Sequence, residues 1–228
     1  MKKLLSKEIR LAASPLSWIF LAATLMTLLP GYPILMGAFF VCFGVFHSFQ
    51  NAREANDTLY TVLLPVKKTD CVSAKYVFTC FIQLIGFALM AVLTVLRMTA
   101  LAGAAPYVGN ALMNATPLFL AFVLLIYAAF NGIFITGFFK TGYKIGMPFL
   151  RFGIATLLLV FAGEALHFFP GLAFFNAPGG ERLGLQLGIL AVAALIYTAG
   201  TLLSCRVAQN ALSGWICKEN IKTKSVNP

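Results

Sequence analysis

Apolar residues in this chain come in runs of membrane-crossing length, separated by short polar breaks. The runs cover 16–29, 34–49, 76–96, 117–138, 149–169 and 183–205. A helix needs about 20 residues to cross the hydrocarbon core. The pattern therefore predicts an all-α integral membrane protein with six transmembrane helices, over about 12–29, 33–49, 76–96, 116–137, 149–169 and 183–205. These six use most of the chain, which reads as a single transmembrane domain over 1–228 with no room for a soluble catalytic domain. The alternating apolar and polar positions of a membrane barrel are absent.

The breaks carry their own structure. Pro30, Gly31 and Pro33 end the first run sharply and make spans one and two an antiparallel hairpin. Residues 50–75 form the longest polar break. Within it, 52–64 reads as a short amphipathic helix with Ala55, Leu59, Val62 and Leu63 on one face. Pro65 stops that helix. Thr69 or Asp70 is placed to cap a second short helix running into span three. The stretch PGLAFFNAPGGER (170–182) is too apolar for a solvated loop and too broken for a spanning helix. It reads as a re-entrant segment in the outer leaflet, covered by protein. Gly180, Gly184 and Gly188 share one face of span six and are expected to pack against another helix of the chain, a subunit interface being the alternative.

Charge fixes the orientation. Fifteen of the 17 basic residues fall in the N-terminal segment, 50–75, 139–151 and the C-terminal segment, while Arg97 and Arg182 fall in the alternate set of breaks. The positive-inside rule then places both termini in the cytoplasm. The net charge of +10 serves membrane orientation, and no nucleic-acid partner is implied. The start, MKKLLSKEIR, is followed by a long apolar run without a small-residue cleavage pattern, so it is expected to be retained. Residues 2–13 are expected to form an interfacial helix, with Leu4, Leu5, Ile9 and Ala12 toward lipid and Lys3, Lys7 and Arg10 toward water. At 60% hydrophobic and 11% charged, the chain belongs in a lipid membrane. The five cysteines all fall in spans or cytoplasmic breaks, so no disulfide framework is expected.

Catalytic chemistry is sparse. The two histidines are His47 and His167, and Glu164 is the acid within a span. Glu164 and His167 lie three apart on one helix face, but bridged metal sites need further carboxylates, so no metal site is expected. Glu164 is expected near the outer interface, paired with His167 or Arg182. Contact with a substrate there is the functional alternative. No phosphate-binding GxxxxGK[ST] loop exists, so no catalytic residue is assigned, and any ATP and Mg would sit on another subunit.

The segment 57–76 resembles the first cytoplasmic loop of the ABC-2 type permeases, the membrane subunits of bacterial ABC exporters. The matching residues are Leu63, Leu64, Pro65, Val66, Lys67, Lys68, Val72, Lys75 and Tyr76, with lysine at 68 where arginine is usual and Cys71 where a branched aliphatic is common. The most similar branch includes exporters of amphipathic cytolytic peptides. The resemblance implies that 50–75 is a coupling element seated on a separate ABC ATPase, through Asp57, Leu59, Val62, Leu63, Pro65, Lys67, Lys68 and Lys75. It also implies a second permease copy, identical or paralogous, an amphipathic or hydrophobic substrate, and the bacterial cytoplasmic membrane as the location. A loop resting on lipid headgroups is the simpler use of the same residues. The alternatives from other classes are a membrane enzyme using Glu164 and His167, and a non-catalytic accessory or immunity protein.

Overall fold

A computed structural model describes residues 2–9, 13–57, 60, 67–108, 110, 112–169 and 182–226. The described chain is all-helical, without strands. Its helices are α1 (Lys2–Lys7), α2 (Pro15–Leu28), α3 (Met36–Glu54), α4 (Lys68–Thr99), α5 (Ala105–Val108), α6 (Pro117–Lys140), α7 (Gly146–Phe168) and α8 (Leu183–Val226). Among the described residues, four helices hold stretches long and apolar enough to cross a membrane, within α4, α6, α7 and α8. α2 is shorter, and α3 carries His47, Ser48, Gln50 and Asn51 in its second half.

Burial separates helices that hydropathy made alike. In α6, 67% of the most apolar window is buried, against 22% in α7 and 17% in α8. α6 and α3 therefore form the centre, and α7 and α8 turn most of their apolar surface outward. Both sorts of helix are apolar because lipid tails are as apolar as a protein core.

α2 begins with Ser14 as N-cap and Pro15 in the first turn, then continues as a 3₁₀ helix from Phe20 to Leu28. The larger rise of a 3₁₀ helix stretches these fourteen residues to roughly 25 Å, against about 21 Å as a regular α-helix. Its terminal carbonyls find donors from elsewhere. Arg97 Nη1 donates to Thr27 O at 2.8 Å, and the Tyr107 hydroxyl donates to Leu28 O at 2.8 Å. The Arg97 guanidinium also lies 4.5 Å from the Tyr107 ring centre. A cation at the negative end of a helix is favourable, more so when buried.

α2 and α3 approach closely at two glycines. A Cβ on Gly44 would lie 2.9 Å from Phe20 Cβ, and one on Gly37 2.9 Å from Ala23 O. That approach brings Ser17 Oγ within 2.6 Å of Gly44 O, to which it donates, and 2.8 Å from Ser48 Oγ. The glycines singled out in the sequence behave differently. Gly184 and Gly188 are exposed, and no atom among the described residues lies within 4 Å of a Cβ placed there. The expectation that they pack inside the chain is therefore corrected, since α8 meets α6 through a different face. Gly180 lies outside the described residues.

The polar break is also built differently from its sequence pattern. Ala52, Arg53 and Glu54 are the last turn of α3, and Asn56 ends it with φ of 50°. Asparagine tolerates that left-handed position better than most residues. A helix over 52–64 is thus interrupted at its start. α4 begins at Lys68 with Lys67 as N-cap and no side-chain cap, so Thr69 and Asp70 sit inside its first turn. Residues 58, 59, 61–66 and 170–181 lie outside the described chain. They include Leu59, Val62, Leu63 and Pro65 and nearly all of the segment expected to be re-entrant.

Candidate functional site

The Lys68 end of α4 is held by four charged side chains. Lys75 Nζ lies 2.9 Å from Glu8 Oε2 and 3.7 Å from Asp57 Oδ2. Lys7 Nζ lies 2.7 Å from Asp57 Oδ1 and 3.6 Å from Glu8 Oε1. Each cation touches both anions, and the set is neutral. It joins the residue following α1, the chain just beyond α3, and the base of α4. Glu8 is 4% exposed and Lys75 5%. Lys75 also lies 5.6 Å from the Phe49 ring centre. A charge this buried is tolerated only with its partners, and removing one partner from such a pair costs about 3–5 kcal/mol. α8 joins the same region, since Gln209 Nε2 donates to Ser73 Oγ at 2.9 Å.

Two of the residues assigned from sequence, Asp57 and Lys75, are thus brought together, facing each other inside the protein. Lys67 is exposed at the start of α4. Lys68 lies in the first turn of α4, and its side chain is outside the described ones. The partners Glu8 and Lys7 were missed by sequence reasoning. The available signal was an acid within a basic N-terminal segment and a lysine, Lys75, embedded in the apolar run VSAKYVF. α1 is also not a simple amphipathic surface helix. Leu4 and Glu8 are both buried, while Ile9 is exposed.

A second polar group lies in the interior of the bundle, and sequence reasoning missed it as well. Gln83 of α4 and Asn131 of α6 exchange amide hydrogen bonds of 3.0 and 3.1 Å. Asn131 Nδ2 also donates to Thr201 Oγ1 of α8 at 2.9 Å, and the Tyr197 hydroxyl donates to Gln83 Oε1 at 2.9 Å. α6 takes a π-helical form over Phe130–Ile135 at this point. The Asn131 carbonyl accepts from the Tyr76 hydroxyl at 3.2 Å and from Thr136 Oγ1 at 3.3 Å. Gln83 and Asn131 are fully buried. Amides in this setting must pair with each other, because hydrocarbon offers no alternative partner.

Glu164 lies one turn before the end of α7. Its Oε2 accepts the Met113 N–H at 2.8 Å. The carboxylate thus receives a backbone donor from the segment between α5 and α6. His167 is in the same helix, with its side chain outside the described ones.

A family model described as "ABC-2 family transporter protein" matches residues 3–209. The chain belongs to the ABC-2 transporter family. Neither the curated proteins nor the solved structures provide a match. Family membership makes this ABC-2 chain a membrane permease subunit of an ABC transporter, a multi-pass protein whose partner is an ABC ATPase. The match covers the ion set, the interior amide pair and Glu164 alike.

Proposed function

We propose that this permease is the membrane half of an ATP-driven exporter in the bacterial cytoplasmic membrane. It works as a dimer with a second permease, bound to two copies of a separate ATPase that carries the ATP and Mg. The clustering of basic residues in the N-terminal segment, 50–75, 139–151 and the C-terminal segment supports a six-span layout with cytoplasmic termini, and in that layout residues 50–75 face the ATPase. The apolar face that includes Leu59, Val62 and Leu63, followed by Pro65, seats in a groove of the ATPase, with Lys67 and Lys68 at its rim. Asp57 and Lys75 act behind that contact, tying the segment to the N-terminal region and to α4. The substrate is amphipathic or hydrophobic, peptides included. Spans poor in fixed charge suit such a cargo better than a hydrated ion.

The observation that carries this reading is the continuity of α4. It runs unbroken for 32 residues, from Lys68 beside the coupling segment to Thr99 at the outer face. At 1.5 Å per residue that is about 48 Å. A rigid rod anchored by ions at its base and by Arg97 at its tip passes a push from the ATPase through the membrane.

The test is retention of the ATPase by detergent-solubilised permease. Leu59→Asp and Leu63→Asp are expected to lower affinity roughly thirtyfold, the equivalent of about 2 kcal/mol. Lys67→Ala is expected to act weakly, through association rate and salt dependence. Normal retention and normal ATPase stimulation by both aspartate variants would remove the coupling assignment.

A further inference from the structure

The described hydrogen bonds and ion pairs divide the large helices into two groups. α2 and α3 form one, joined by Ser14, Ser17 and Ser48, with Ser14 N donating to Ser48 Oγ at 2.8 Å. α4, α6 and α8 form the other, joined by the amide pair, Thr201, Tyr197 and Tyr76. α7 belongs with the second group. It lies close along α6, where a Cβ on Gly137 would come within 2.8 Å of Pro148 Cβ.

Between the groups, the interior contact is mostly carbon. Val41 of α3 packs where Gly86 leaves room on α4, and Met90 of α4 packs over Gly37. Farther toward the cytoplasm the contact is aromatic. Phe46 and Phe149 have ring centres 4.1 Å apart, and Phe49 and Phe138 5.1 Å apart. One polar contact there is weak: the Cys42 thiol of α3 hydrogen-bonds with Gln83 of α4. Apart from that thiol bond, the hydrogen bonds and ion pairs found here to cross from one group to the other sit at the two ends. At the inner end these are Glu8 and Asp57 with Lys75. At the outer end they are Arg97 with Thr27 O, Tyr107 with Leu28 O, and the Gly31 N–H with Asn110 Oδ1 at 3.0 Å.

We infer that this carbon-lined seam is the plane on which the permease moves. The two polar-clamped groups shift as units, and Lys75 and Arg97 are the latches that hold the seam at the inner and outer faces. The inference rests on the transport reading above. Its physical basis is the cost of exposing different contacts to hydrocarbon. Separating α4 from α6 or α8 would leave the Gln83 and Asn131 amides unpaired among lipid tails, where nothing replaces the lost bonds. Sliding Phe46 past Phe149 exchanges one carbon contact for another. The latches lie at the membrane ends, where water and headgroups receive their charges once they part.

The experiment uses the full chain with its five cysteines replaced by alanine, in membranes with the partner ATPase. Ser17→Cys with Ser48→Cys reports inside one group, and Phe46→Cys with Phe149→Cys reports across the seam. A short bifunctional thiol reagent is applied without nucleotide and then with ATP and vanadate. The seam pair is expected to change its yield at least threefold, while the serine-site pair stays constant. An unchanged seam pair in a complex that retains the ATPase overturns the seam and leaves the transport reading standing. So do two pairs that change in parallel. Failure to retain the ATPase sinks the transport reading instead. The seam is then judged on the chain alone, by the joint substitution Lys75→Ala and Arg97→Ala. Opening both latches should lower the seam yield at least threefold with no change in the serine-site pair. If both pairs fall, Arg97→Ala alone decides: a selective loss at the seam supports the inference, and equal yields or equal losses overturn it.

Discussion

The ion set at the base of α4 and the amide group inside the bundle are both buried and both polar, yet they answer to different surroundings. Lys7 and Asp57 keep 18% and 19% of their side-chain surface open, so the ion set borders on water. Gln83 and Asn131 keep none. The first uses full charges, which can be rehydrated if the set opens. The second uses neutral amides, which avoid the penalty of ions in hydrocarbon but have no other partner there. Polar groups at the membrane edge suit contacts that break and re-form. Those in the interior suit contacts that stay made.

The sharpest way to break this comparison is Lys75→Ala. It removes the cation that lies 2.9 Å from Glu8 and 3.7 Å from Asp57. The expected loss is about 3 kcal/mol in the unfolding free energy measured by SDS titration, the lower end for a broken buried pair because part of the set reaches water. Exchanging the charges, Lys75→Glu with Glu8→Lys, should recover part of it. A loss under about 0.5 kcal/mol, typical of exposed pairs, would show the ion set to be an ordinary surface network.

Asn131→Leu comes next. It strands the Gln83 amide and the Thr201 hydroxyl, at an expected cost of about 1–2 kcal/mol. Adding Gln83→Leu should return part of that stability, since removing both partners is gentler than removing one. If the double variant falls by the sum of the two single losses, the amides are not acting as a pair.

Glu164→Gln should have a smaller effect, about 0.5–1 kcal/mol, because a neutral amide oxygen still accepts the Met113 N–H. Export by the complete transporter should stay within about threefold of the parent, a change of roughly 0.7 kcal/mol. Abolished export with normal expression would instead make Glu164 a substrate or proton contact. The smallest effect is expected from Gly184→Leu on the solubilised single chain, within about 0.5 kcal/mol, because the face is open. A clear loss of stability there would mean that α8 packs through its glycines after all.

Much of this was legible in the linear sequence. Runs of apolar residues placed the helices to within a few residues, although α4 and α8 run on well past the spans expected for them. Proline and glycine marked the turn at 30–33. The loop 57–76 pointed to the ABC-2 family, which the match over residues 3–209 bears out. These signals are local, so the sequence determined them by itself. Which helices occupy the centre was decided only in the tertiary structure, because lipid and protein interior reward the same apolar side chains. Pairing was decided there too. Glu8 meets Lys75 across 67 positions, Gln83 meets Asn131 across 48, and Tyr197 reaches Gln83 across 114. No periodicity encodes such distances. They follow from the requirement that every polar group shut away from water find a partner wherever the packing of the helices brings one.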